Sequence, residues 1–409
     1  MTPSSQSLED VRSQFPALGR VEDGRPAAYL DGAGGTQVPQ LVIDAMTSIL
    51  AEGVSNLGGG FGPSQTADNV TASARQAIAD LFNADPGEIT FGQNMTSLTF
   101  AMSRALANDW GEGDAIVLTS LDHDANFTPW VRAAEDRGVD VRVADFDPST
   151  GLLDPASVIA LLDENVRLVA VCLTSNSIGT TVDIPPISVA AHAVGALVYV
   201  DAVHAVPHHL IDVDQLDCDF LAASVYKFFG PHTGVLYGKA EHLSRLDAYK
   251  VQPAPSDPPG KWETGTQSFE SLAGVVAAVD YMASLDSPTA TRRKALASAY
   301  GWIALHEQEL ATRFLDGLNR LDGVQLHGVQ EVNEQRGPTF AISVEGHTPQ
   351  AVAERLASEE IYVWSGHYYA INVMTRLGVL DDGGLVRIGF VHYNTPEEVD
   401  RTLAVLADL

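Results

Sequence analysis

From about residue 66 to 240 the chain alternates two patterns. One is a set of short runs that are apolar on both faces and rich in β-branched residues: AIVLT (115–119), VRVADF (141–146), LVAVCLT (168–174), ALVYVD (196–201), DFLAAS (219–224) and GVLYG (234–238). Runs of this kind are strands covered on both sides of a mostly parallel sheet. The other is a set of longer stretches, such as TADNVTASARQAIADLF and PISVAAHAVG, with apolar residues at helical spacing. Their alternation predicts an α/β layer fold with right-handed crossovers. KVQPAPSDPPGKWETGT (250–266), dense in Pro and Gly, breaks the pattern and reads as a long functional loop. Helices are predicted at SLAGVVAAVDYMASL and from about 289 to 320. The remainder mixes strand patterns (TFAISV, IYVW, VRIGF) with helical ones (TPQAVAERLASE, TPEEVDRTLAVLADL), which suits a smaller α+β domain. There is no internal repeat or low-complexity tract.

Composition narrows the partners. The 409 residues carry a formal charge of −29, and 45% of them are hydrophobic, enough core for two or three domains. The acidic excess is spread along the chain, so neither nucleic acid nor an anionic membrane is an expected partner. MTPSSQSLEDVRSQFP lacks the basic-then-apolar pattern of a secretory signal, and no apolar run approaches the ~18 residues of a bilayer span. A soluble, cytoplasmic protein is expected. The two cysteines, Cys172 and Cys218, lack metal-ligand spacing, and a disulfide framework does not suit that compartment.

Candidate chemistry gathers around one of only five lysines, Lys227, which lies between aromatics and a Gly-Pro turn in SVYKFFGPHTG. Ligands of open α/β sheets bind at the carboxyl ends of the strands. There ALVYVD closes with Asp201, LVAVCLT runs into Ser175 and Asn176, DFLAAS ends at Ser224, and His123 and Asn126 follow AIVLT. FGQNMTS (91–97) opens a helix whose backbone N–H groups and Thr96 suit a phosphate. An amine, a strand-end carboxylate, a flat imidazole and a phosphate cradle together suit pyridoxal 5'-phosphate. Taken singly, a strand-end Asp is most often a turn former and a lone His a satisfied, partly buried residue; their order along the chain is what carries the reading. GAGGTQVP and SNLGGGFGP are Gly-rich, but neither follows a strand with dinucleotide-binding spacing.

These residues resemble the class V aminotransferase group of pyridoxal-phosphate enzymes, and within it the cysteine desulfurase-like proteins. The resemblance runs from AYLDGAGGTQVP (28–39) to VRIGFVHYNTPEEVD (386–400), with DHDANFTPW, SNSIGTTVDI, VYVDAVHAV and LDCDFLAASVYKFFGPHTGVLYG as its most specific stretches. It implies a fold-type I homodimer: a large cofactor-binding domain over 27–280 with a mostly parallel, seven-stranded sheet, and a small α+β domain from 1–26 and 281–409. It also implies that Lys227 carries the cofactor covalently, that Asp201 pairs with the pyridine nitrogen and that His123 stacks on the ring. His204 would stand near the phenolic oxygen, and Asn176 would orient cofactor and substrate. The Met95 amide, Thr96 and Ser224 would hold the phosphate, with Tyr226 beside it and Thr266 reaching the partner subunit's phosphate. Arg387 would clamp the α-carboxylate of a small amino-acid substrate, with Gly35, Asn56 and Tyr369 as further substrate positions.

The pattern departs from desulfurases in the loop VWSGHYYAIN (363–372), where Tyr369 stands at the position of the sulfur-accepting cysteine. Cys172, inside a predicted central strand, and Cys218, just before another, are not expected to replace it. The expected activity is therefore thiol-independent cleavage at Cβ: sulfinate or selenium release, or aspartate β-decarboxylation, with carbon–carbon bond formation as an extension. His367, Tyr368 and Tyr369 would be acid–base groups or a pocket wall. The alternatives are a class V epimerase, racemase or aminotransferase, a true cysteine desulfurase, and a non-enzymatic doubly wound binding protein.

Overall fold

The structure is a computed structural model that describes residues 6–286 and 290–409. Residues 1–5 of the N-terminal segment, and the expected helix start near 289, lie outside the described residues. The long helix runs Arg292–Leu318.

Seven strands form the large sheet: β1 (Ile89–Gly92), β2 (Ala115–Thr119), β3 (Asp140–Ala144), β4 (Val166–Cys172), β5 (Leu197–Asp201), β6 (Phe220–Ser224) and β7 (Gly234–Gly238). Their order is β1-β7-β6-β5-β4-β2-β3, and β7 runs antiparallel to both of its neighbours. The expected mostly parallel α/β sheet is therefore present. β3 stops two residues short of VRVADF, because at this sheet edge Phe146 N–H leaves the ladder for the Ser120 hydroxyl. Alternate side chains of the inner strands enter two different apolar layers. Val117, Val169, Val171, Val198, Val200, Leu221 and Ala223 join one, which also holds Ile78 and Phe82 of the helix Gly62–Phe82 and Val275 and Val279 of Phe269–Ala283. Ile116, Leu118, Leu168, Ala170, Tyr199, Phe220 and Ala222 join the other, under Met102 of the helix Met95–Leu106 and Trp130 of Thr128–Arg137. Burial on both faces is why these strands read as unbroken apolar runs.

The smaller sheet is antiparallel, built from β8 (Val324–His327), β9 (Thr339–Val344), β10 (Trp364–Gly366) and β11 (Leu385–Gly389) in the order β8-β9-β11-β10. Ala28 and Leu30, just past the expected boundary at 27, pack into this sheet's core, and Ala28–Tyr29 pairs in parallel with Ile361–Tyr362. The helix Arg292–Leu318 joins the two bodies: Leu296 and Ile303 sit in the large core, Leu310 and Phe314 in the small one. Among the described residues no helix is long and apolar enough to cross a membrane.

The loop that follows β4 is stitched to the small sheet. Gly179 donates to Ser175 O and its own carbonyl accepts from Gly337 N–H at 2.7 Å, while Thr181 N–H donates to Gln335 O. Gly179 has φ +73°, and a Cβ there would lie 2.4 Å from the Thr339 carbonyl oxygen. Both the left-handed backbone and the close approach demand glycine. Gly179→Ala should lower stability by at least about 1 kcal/mol. Chemical and thermal unfolding followed by circular dichroism will check this; an unchanged midpoint would refute the close contact.

Candidate active site

At the carboxyl edge of the large sheet β4 and β5 end level, Cys172 beside Asp201, while β6 runs two residues past Ala222, the neighbour of Asp201, to end at Ser224. Beyond β6 a short 3₁₀ turn, Val225–Lys227, lifts the lysine off the sheet. The two following phenylalanines, Phe228 and Phe229, are fully buried and anchor that turn. The residues around SVYKFF thus place an amine: apolar neighbours on either side leave Lys227 one direction, into a cavity.

Two adjoining cavities meet at Lys227. The inner one, ≈ 90 Å³, has Asp201, His204, Cys172, Ser224 and Met95 in its wall. The outer one, ≈ 730 Å³, is bounded by Phe100, Trp364, His367, Tyr368, Tyr369 and Arg387. Thr96, His123, Asn176, Tyr226 and Lys227 face both.

Charges in this space are held by neutral groups. Lys227 Nζ donates to the Ala33 carbonyl at 2.6 Å and lies 4.9 Å from the centre of the Tyr226 ring. Burial, and then the nearby Arg387 cation, push its pKa down to about 7, against the pull of Asp201 and Asp31. Arg387, on β11, donates to the Asn176 carbonyl at 2.9 Å and stacks over the Tyr368 ring at 4.5 Å, while its Nε has no partner. Burial brings it down to about 10. Asp201 accepts from Val203 N–H at 2.9 Å, and burial raises it to about 6. Asp31 is likewise raised to about 6 by burial, with Oδ1 unpaired.

His123 caps a short turn, its Nδ1 accepting from Ala125 N–H at 3.0 Å. Below it Asp122 accepts from Thr119 and Asn126, so Asn126 supports the turn instead of reaching the cavity. Burial first, then Lys227 and Arg387, push His123 down to about 4, so its ring is neutral at ordinary pH. At the wall formed by the start of Met95–Leu106, the Met95 N–H donates to the Ser224 hydroxyl at 3.1 Å, and Thr96 follows in the first turn. His204 bonds Thr339 Oγ1 at 3.0 Å and leaves Nδ1 unpaired; Asn176 Nδ2 donates to Tyr368 O and leaves Oδ1 unpaired. Tyr226 stacks on His232, and Gly35 lies against the Tyr226 ring, where a Cβ would come within 3.3 Å.

Two expected site residues stay apart from this group within one chain. Thr266 is exposed and lines a different cavity with Gln93, Ser97 and His232, while Asn56 is an exposed loop residue whose carbonyl accepts from Ser64. Cys172 is better placed than its strand-interior position implied: as the last residue of β4 it reaches the inner cavity wall. Its thiol is nonetheless pushed well up by burial and by Asp122 and Asp201. Cys218 is buried in the core. Tyr368 is no acid–base group facing substrate, since its hydroxyl is spent on the Leu385 carbonyl and its ring on Arg387. Tyr369 is 67% exposed at the mouth, stacked on His123 at 5.6 Å. Sequence reasoning passed over Asp31, Trp364 and Phe100; Asp31 stood in AYLDGAGG with the same strand-end signal as Asp201.

The residues present fit pyridoxal phosphate. An amine, a buried carboxylate, an imidazole face, a helix N-terminus and two orphaned polar atoms, His204 Nδ1 and Asn176 Oδ1, converge on the adjoining cavities.

The family profile described as Aminotransferase class-V matches residues 28–402. An aminotransferase-like protein of Gibberella zeae is 32% identical, with 99% of each chain covered. A cysteine desulfurase of Serratia proteamaculans is 30% identical over 98% of this chain and 97% of its own. Among solved structures, the apo cysteine desulfurase of Thermococcus onnurineus superposes with a TM-score of 0.88 at 27% identity, covering 99% of this chain and 98% of that one. An Escherichia coli cysteine desulfurase gives 0.85 at 25% identity over 99% and 98%.

Only the neutral amine of Lys227 can attack an aldehyde. With its pKa lowered to about 7, the rate at which apo-protein gains the visible band of bound pyridoxal phosphate should rise as pH climbs through that value and level off above it. Stopped-flow absorbance checks this, and Lys227→Ala should give no such band; a rise centred near the ordinary lysine value of ~10.4 would refute the perturbed amine.

Proposed function

The chain belongs to the class V aminotransferase family of pyridoxal-phosphate enzymes, and within it we propose a thiol-independent lyase or transferase that breaks a bond at Cβ of a small amino acid. One observation carries this reading: no thiol faces the outer cavity, whose mouth carries Tyr369, while Cys172 and Cys218 are buried with thiols raised by desolvation. A persulfide-forming route needs a mobile thiolate within reach of the substrate sulfur. Tyr369 takes the place of that group and supplies a phenol.

Bound at Lys227, the cofactor supplies an electron sink for charge developing at Cα and, after a proton shift, at Cβ. The protein's own part is binding and proton placement. Arg387, desolvated and without a carboxylate partner, offers its guanidinium to the α-carboxylate. Lys227, with a pKa brought to about 7, can take a proton from Cα and return it. Asp201 sits where it would keep the ring nitrogen protonated, and neutral His123 covers the ring face. Thr96, Ser224 and the Met95 N–H would hold the phosphate at a helix N-terminus.

Among the described residues the outer cavity sets the Lys227 and Arg387 cations against a single acid, Asp124, with the neutral His123 ring and His367 as further hydrogen-bonding groups. That balance suits a substrate with a second negative charge at Cβ, a sulfinate or a carboxylate. Cleavage would leave the Cβ electron pair to be protonated, giving alanine, with release of sulfur dioxide that hydrates to sulfite, or of carbon dioxide. We place the work in a homodimer: Leu41, Leu50, Leu57 and Phe61 expose apolar surface, and the exposed Thr266 loop is free to complete a partner's phosphate site.

A panel of cysteine sulfinate, selenocysteine, aspartate and cysteine should give alanine from one of the first three. Mass spectrometry should find no protein persulfide after treatment with cysteine. The Cys172→Ala/Cys218→Ala variant should keep full turnover, whereas Arg387→Ala should lose roughly 2–5 kcal/mol of transition-state binding, about 30-fold to about 5,000-fold in kcat/KM. A persulfide on either cysteine with matching alanine would restore an ordinary desulfurase. Separately, sedimentation of the loaded protein at micromolar concentration should give a dimer; a fully loaded monomer would refute the shared site.

A further inference from the structure

The helix Arg292–Leu318 buries one carboxylate, Glu307, at 5% exposure. A buried carboxylate is costly unless it has a partner. Its partner is His208, whose Nδ1 lies 3.0 and 3.1 Å from the two carboxylate oxygens. His208 is itself 3% exposed and packs edge-on against His204, with ring centres 5.1 Å apart at 75°. His204 is the residue that reaches the inner cavity, tied on one side to Thr339 and with Nδ1 left over. Behind this line lies a separate cavity of ≈ 470 Å³, bounded by His208, Glu307, Gln308 and Arg336. An acid, two imidazoles and the cofactor cavity are therefore stacked in a row, and a plain core would have used apolar side chains at all three positions.

We propose that Glu307 and His208 are positioning residues for His204: the carboxylate fixes the His208 ring, and that ring holds His204 neutral and oriented at the cofactor. The carboxylate accepts from His208 Nδ1–H, which sets the tautomer and orientation of that ring. The buried His208 ring, edge-on to His204, closes the dry wall around it. The groups facing His204 act in the same direction: burial comes first, then His208, then Lys227, Arg387 and His209, all of which push it well below the usual histidine range. Asp201 and Cys172 share its cavity, and neither bonds to it. His204 thus presents a neutral ring whose free nitrogen can meet an oxygen of the bound cofactor. The inference rests on the cofactor and not on which amino acid is turned over.

Two readouts independent of turnover test it. In apo-protein with labelled histidine, assigned through His204→Gln, the His204 ring should stay neutral across the range in which an ordinary histidine titrates. In Glu307→Gln, which keeps size and removes charge, its titration midpoint should rise by about one pH unit or more. In loaded protein, the pH midpoint of the visible band should move by a comparable amount. The double variant Glu307→Leu/His208→Phe replaces the pair by apolar volume and should move both midpoints if the single variant does not fold. A folded variant of either kind with both midpoints unchanged overturns the proposal. So does failure of both variants to fold, because the pair is then core structure. Loss of the visible band with a shifted His204 midpoint supports the proposal and separates it from substrate chemistry.

Discussion

Desolvation without pairing is the constraint on which the site depends. Lys227, Arg387, Asp201 and Asp31 surround one space, yet no ion pair joins any two of them among the described residues. Lys227, Arg387 and Asp201 are held by a backbone carbonyl, a backbone N–H or a ring face, and Asp31 by its own backbone. Direct pairing would quench both partners and fix them to each other. Held apart in a dry cleft, Lys227, Asp201 and Asp31 have pKa values shifted toward neutrality, and Arg387 keeps its charge free for a ligand. The large sheet supplies this by ending Cys172 and Asp201 level beside β6, and the small sheet supplies Arg387 from the other side.

That dependence explains what the sequence revealed and what it hid. GVLYG and TFAISV match their strands end to end, and the central runs are within about two residues, because strands buried on both faces leave a pattern that needs no tertiary information. VQLH and the helix Ile371–Leu377 escaped, being short, half-exposed and without a run of apolar residues. Asp201, Lys227 and His123 were legible because each follows a strand end. Cys172 was misjudged by the same logic taken one residue too far: a strand's last side chain can still face the ligand. Tyr368, Trp364 and the Arg387–Asn176 contact depend on how the two bodies meet, and no local pattern reports that.

Family membership and chemistry are also separable. The match spans nearly the whole chain and includes relatives named as desulfurases, while the groups facing the outer cavity include aromatic, imidazole and cationic side chains and the acid Asp124. A common scaffold for binding the cofactor is compatible with several fates for Cβ, and the cavity lining decides among them.

The adjacent tyrosines at 368 and 369 both adopt left-handed backbone, φ 52° and 57°, a conformation that non-glycine residues hold only when surroundings impose it. Their side chains then part company. Tyr368 is locked beneath the arginine and tied to β11, whereas Tyr369 stands in the entrance with most of its surface free. A single peptide bond therefore separates a position under tight structural constraint from one open to variation. A change at residue 369 can therefore reshape the entrance without disturbing the Tyr368 contact that holds Arg387.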